Sequence, residues 1–236
     1  MELISKTAEE VQFTSDMNIS LANAIRRSVS EIPILAIYEA DIYKNDSVLY
    51  DEIIAHRLGL IPLKNQKLKS GQNIELKLQV KSKEEDKRNV LSGDIDGDIV
   101  YPDMPLVLLE NGQTLKLVAR ANVGFGKDHP RYNPGVIFYR HVPRIAIKGE
   151  GEKQSELAEL YPLVFSFESG KLQVKNAHEC TLDSEDFNDY PGVDISFSDS
   201  IVFSIESWGQ IEAKEIFTEA CKALKSNISE VTKVLK

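Results

Sequence analysis

At 236 residues, with 42% hydrophobic and 28% charged side chains, the chain has room for one large globular domain or two to three small ones. A net charge of −9 excludes the basic excess of a free-standing nucleic-acid binder. No stretch reaches the ~18 apolar residues that span a bilayer.

The opening MELISKTAEEVQF lacks the basic-then-apolar order of a signal peptide. Two cysteines far apart, Cys180 and Cys221, point to a reducing interior and away from a disulfide framework, so a cytoplasmic location is expected. Residues 1–14 alternate loosely and predict a strand, or a hairpin about Ala8–Glu10. Ser15, Asp16, Asn18 and Ser20 are candidate N-caps for a helix of about three turns, stopped by Pro33. Its apolar face carries Leu21, Ala24, Ile25, Ser28, Val29 and Ile32, while Asn23, Arg26 and Arg27 lie on the other side. ILAIYEADIY (34–43) reads as a strand and NDS (45–47) as a turn. DEIIAHRLGLIPL (51–63) reads as a short helix, with Asp51 and Glu52 at its dipole-favoured start, Gly59 suited to cap it and Pro62 to end it.

From Asn73 the period changes to two. IELKLQV, VLSGDIDGDIVY, PLVLLENG and QTLKLVARANV predict strands, with the mixed charge run KSKEEDKR (81–88) as a solvated loop. Residues 46–149 thus form a mostly-β insertion, closed by the polar boundary GEGEKQSE. Residues 157–191 make a small third region, with FSFESGKLQV as a tight hairpin about Ser169–Gly170. The strand IVFSIES (201–207) leads, after Trp208 and Gly209, into a helix from about Ile211 to the end. Its stripe includes Ala213, Ile216, Phe217, Ala220, Leu224, Ile228, Val231 and Val234, with Glu and Lys opposite. A stripe this long requires cover, either from the inserted β unit or from another chain.

Catalytic signals are missing from this pattern. His56, His129, His141 and His178 are scattered without HxH or HxxxH spacing, and no GxSxG occurs. GDIDGD (93–98) would need Gly and Glu where Ile99 and Pro105 stand to be a calcium loop. GFGKDH lacks the remaining glycines of a phosphate cradle. Cys180, Asp183, Asp186, Tyr190 and Pro191 keep the spacing of the iron–sulfur run C-x2-C-x2-C-x3-C-P with a single thiol; Gly151, Gln154, Leu157 and Tyr161 repeat that register 29 residues earlier. One thiolate cannot hold a cluster, so no cofactor and no metal are expected, and a ferredoxin-like electron-transfer protein is the alternative reading.

ISLANAIRRSVSEIPILAIYEADIYKNDSVLYDEIIAHRLGLIPL resembles the signature block of the D-subunit family of archaeal RNA polymerase, akin to bacterial alpha. VLSGDI with PLVLLENGQTLKLVARANVGFGKDHPRYNP, and FSIESWGQI with the long helix, resemble that family's inserted domain and C-terminal dimerisation segment. The resemblance implies an α+β fold: an alpha-subunit-like dimerisation domain (1–45 plus 196–236), an inserted β-rich domain (46–149) and a degenerate ferredoxin-like region (150–195). It implies a non-catalytic assembly subunit that heterodimerises with a small subunit, L, through Leu21, Ile25, Val29, Ile32, Ile216, Phe217, Ala220, Leu224, Ile228 and Val231. It also implies docking of the large β-like subunit through Arg26, Arg27, Glu52, His56 and Arg57, contacts with small zinc-containing subunits, and DNA met only through the complex. The relic ligand positions would be Cys180, Asp183, Asp186 and Tyr190.

Overall fold

The computed structural model of the protein describes residues 1–66, 72–84 and 86–235. In chain order the elements are β1 (Glu2–Lys6), β2 (Glu10–Ser15), α1 (Ile19–Ser28), β3 (Pro33–Asn45), α2 (Asp51–Gly59), β4 (Ile74–Lys81), β5 (Arg88–Leu91), β6 (Pro105–Leu109), β7 (Thr114–Phe125) and β8 (Gly135–Ile147). They continue with α3 (Ser155–Leu160), β9 (Phe165–Glu168), β10 (Lys171–Val174), β11 (Val193–Ser207) and α4 (Ala213–Val234). The chain is a mixed α/β protein with two compact units.

One unit comprises Thr7–Val11, Asn23–Ile137 and Ile205–Lys236. Its sheet has the order β3–β7–β4, antiparallel at both joins. Period-2 patterning in QTLKLVARANV buries Leu115, Leu117, Ala119 and Ala121 on one face of β7. Across the join to β4 the register places Leu76 opposite Ala119, Leu78 opposite Leu117 and Val80 opposite Leu115, so apolar pairs stack in rows. Bulges between Ile37 and Glu39 and between Ile42 and Lys44 bend β3. In α2, Ile54 and Leu58, four apart and fully buried, join this core.

Two expected elements are shorter than the sequence suggests. The helix over 51–63 ends at Gly59, which is still helical, and Leu60 closes it in the right-handed region, so the glycine cap does not form. VLSGDIDGDIVY supplies strand only as far as Leu91. Asp94 turns its carboxylate back to accept from the Leu91 amide (2.9 Å), making a one-turn 3-10 helix of Ser92–Asp94. The run 81–88 begins within β4 and continues as loop; Glu85 lies outside the described residues.

The other unit comprises Met1–Lys6, Gln12–Ala22 and Phe138–Ser204 and is built on a sheet of order β1–β2–β11–β8. The expected N-terminal hairpin is present as β1 and β2. Phe203, fully buried, stacks on Phe13 with centroids 5.6 Å apart and rings 5° from parallel. A second cluster gathers Leu157, Val164, Phe165, Leu172, Phe187 and Val193, with Phe165 and Phe187 edge to face at 6.1 Å. The hairpin of β9 and β10 pairs Glu168 with Lys171, and its turn residues Ser169 and Gly170 take φ values of 53° and 78°. Two positive φ values define the turn that favours Asn-Gly. Ser169→Asn should therefore stabilise the protein by about 0.5 kcal/mol, read as a rise of about 1–2 °C in the thermal midpoint.

The long helix α4 has 22 residues, about 33 Å, and starts two residues later than expected because Glu212 is extended (φ −64°, ψ 147°). The stripe is covered only along its first half, where Val29–Glu31 packs against the helix. Ala213, Ile216 and Ala220 are fully buried by the protein itself, whereas Ile228 is 59% and Val231 60% exposed, and Val234 and Leu235 are still more open.

Candidate docking surfaces

Asn18 begins α1, its side-chain oxygen accepting from the Ser20 amide at 2.8 Å. Ala22, Ile25, Ser28 and Val29 then point inward, followed by Ile32, while Leu21 stays 48% exposed. Arg26 and Arg27 fall in the last turn, where the helix dipole favours cations. Arg26 donates from Nε and Nη2 to Asn23 Oδ1 (3.1 and 2.9 Å), which lays the guanidinium along the helix flank. Both arginines are exposed, and neither forms an ion pair among the described residues. The fixed double charge thus faces outward.

Of the ten residues implied at a partner interface, Ile25, Val29, Ile32, Ile216 and Ala220 are core residues of this chain. Phe217 and Leu224 are half-buried. Leu21, Ile228 and Val231 are open. Asn227 marks the end of the covered part of α4, donating from Nδ2 to Glu31 Oε2 at 2.7 Å.

Burial of Ile54 and Leu58 leaves Glu52 and His56 of α2 exposed. Arg57 is exposed as well, and its Nη1 donates to the Leu106 carbonyl of β6. Tyr43 at the end of β3, Val48 and Tyr50 in the turn, and Ile53 in the first turn of α2 are all exposed. Behind α2, Ala55, His56 and Gly59 form one wall of a cleft of about 690 Å³ whose other walls come from Tyr101 and Met104, from His129–Arg131 with Asn133, and from Trp208 and Gln210.

The relic ligand positions do not fit an iron–sulfur cluster. Cys180 is 1% exposed among the apolar side chains of the second cluster, and burial pushes its thiol pKa up, against thiolate formation. Asp183 and Asp186 are spent on their own turn: the Asp183 amide donates to Asp186 Oδ2 (2.9 Å), and the Glu185 amide to Asp183 Oδ1 (2.8 Å). Tyr190 packs against the apolar cluster. Arg140 pins the turn by donating to the carbonyls of His178 and Cys180. Among the described residues no three His, Cys, Asp or Glu side chains converge as a metal site would require.

Open apolar helix ends and a charged helix flank are the features of a surface that binds other proteins. The family model for the RNA polymerase Rpb3/Rpb11 dimerisation domain matches residues 13–228, and the chain belongs to that family. It is similar to the DNA-directed RNA polymerase subunit Rpo3 of Pyrococcus horikoshii, at 32% identity over 241 residues covering 95% of this chain and 93% of the relative. The subunit Rpo3 of Thermococcus kodakarensis is 31% identical over 240 residues, covering 94% and 92%. That of Archaeoglobus fulgidus is 27% identical over 257 residues, covering 100% and 97%. The electron-transfer alternative gives way to this membership. No helix among the described residues is long and apolar enough to cross a membrane.

Proposed function

We propose that this chain is the alpha-like, non-catalytic assembly subunit of an archaeal multisubunit DNA-dependent RNA polymerase. It pairs with the small subunit L and offers the pair as a platform to the large β-like subunit and to small zinc-containing subunits. The observation that carries this reading is the uncovered end of α4, where Ile228, Val231, Val234 and Leu235 are exposed. Burying a side chain of that size is worth about 1.5–3 kcal/mol. The seam with L runs over this end and over Phe217 and Leu224 of α4, and Leu21 of α1 offers L a further apolar contact.

In the same frame, residues 1–45 and 196–236 form the dimerisation domain, 46–149 the insert and 150–195 a degenerate ferredoxin-like region without a cluster. The protein works in the cytoplasm and meets DNA only through the complex. Arg26, Arg27, Glu52, His56 and Arg57 face the large subunit, where the planar fork of arginine binds carboxylates bidentately.

Co-expression with L followed by size-exclusion chromatography tests the pairing; a chain that elutes alone at micromolar concentration would refute it. The docking assignment has a separate test. Arg26→Glu combined with Arg27→Glu should lower recovery of the large subunit at least tenfold in co-purification while leaving the pair with L intact. Loss of L in that variant would mean that the two faces of α1 are assigned the wrong way round.

A further inference from the structure

We propose that the cleft behind α2 receives an extended polypeptide segment of an associated polymerase subunit, one that presents a carboxylate next to an apolar side chain. The inference rests on the assembly reading above and specifies what a docking partner must bring.

The cleft differs in charge from the rest of the chain. The protein has 37 acidic and 28 basic residues, yet among the described residues no Asp or Glu lines this cleft, whereas His56, His129 and Arg131 do. Glu9, from outside the lining, already accepts from Tyr101 Oη at 3.0 Å. His129 Nδ1 accepts from the backbone amide of Arg131 (3.2 Å) and from its Nε (3.0 Å), which places the ring proton on Nε2. That Nε2 lies 3.4 Å from Arg131 Nη2, so two donors stand side by side with no acceptor between them. The two oxygens of one carboxylate suit such a pair. Arg131 is held for this role, because its Nη1 donates to the Ile37 carbonyl at 2.9 Å and little side-chain freedom remains to be lost on binding.

The remaining walls explain the choice of a peptide over a phosphodiester. Leu60, Pro62, Pro130 and Trp208 form them, with Leu60 60% and Trp208 44% exposed, a surface for an aliphatic or aromatic anchor. Trp208 is fixed by its amide, which donates to the Pro134 carbonyl at 2.9 Å, and by Gly209, whose φ of +86° is open to glycine at little cost. Gln210, nine-tenths buried, closes the floor beneath Trp208.

The test uses the assembled polymerase with p-benzoylphenylalanine in place of Leu60, photolysed and mapped by mass spectrometry. The expected result is one dominant cross-link, to a polymerase subunit, within about three residues of an Asp or Glu. His56→Glu together with His129→Glu should cut its yield at least tenfold, and His56→Arg alone should preserve it. Trp208 is the only tryptophan of the chain, so its emission in the isolated pair with L checks that the variants keep the cleft's fold. If the subunits co-purify but the cross-link is missing, falls far from any acidic residue, reaches nucleic acid, or ignores the charge reversal, the inference is overturned while the assembly reading stands. A chain that enters no polymerase overturns both.

Discussion

Replacing Ile228 and Val231 by aspartate should weaken pairing with the small partner subunit at least thirtyfold while leaving the chain's own thermal midpoint within about 2 °C. Both side chains are close to 60% exposed, so little intrachain packing is lost, and aspartate costs a helix interior only a few tenths of a kcal/mol. At the seam the same change removes about 1–2 kcal/mol of burial at each position, the share of the side chain still open, and adds two carboxylates to a desolvated surface. The loss of about 2–4 kcal/mol from burial alone weakens the pair about 30- to 10³-fold, well within the range of calorimetric titration. An unchanged dissociation constant would mean that this helix end meets something other than L. The control is Ile216→Ala, earlier in the same helix and fully buried, which should lower the midpoint instead.

Leu58→Ala should cost about 2–5 kcal/mol, since the side chain is wholly buried and the sheet beneath it cannot close over the void. For a chain of this size that corresponds to a fall of about 5–15 °C in a calorimetric scan. The functional consequence is distinctive. Only Ile54 and Leu58 of α2 are buried, so loosening one of them displaces His56 and Leu60 together. Recovery of the large subunit should therefore drop in a variant whose pair with L persists. Leu60→Ala, at an exposed position in the same turn, should leave the midpoint within about 1 °C. Equal stability losses at 58 and 60 would contradict the packing described for α2.

Elements with a strong local signal were legible in the sequence. The hairpin at Ser169–Gly170 announces itself by a small residue before glycine between two alternating runs, and both turn residues adopt positive φ. The stripe of α4 and the Ile25–Val29 part of the inward face of α1 follow from 3.6-residue spacing, whereas at its start Ala22 is buried in place of Leu21. What spacing could not give is how far a stripe is covered, because that depends on residues distant in sequence. Ile216 and Ile228 carry the same periodicity, yet one is core and the other open. The run VLSGDIDGDIVY alternates like a strand, but Asp94 finds the Leu91 amide and the local turn wins. The cleft behind α2 left no trace in the pattern at all. Its walls come from four separate segments, and the proton position on His129 follows from a bond to a residue two places along.

The open end of α4 also bears on how much of this protein a cell can keep. Past Asn227 every described residue of the helix is exposed, so its last two turns are held by their own amides alone. Such an end frays readily, and frayed apolar segments are where proteases begin. Copies made in excess of the partner would be cleared first, and the supply of one subunit would set the standing amount of the other without any dedicated regulator.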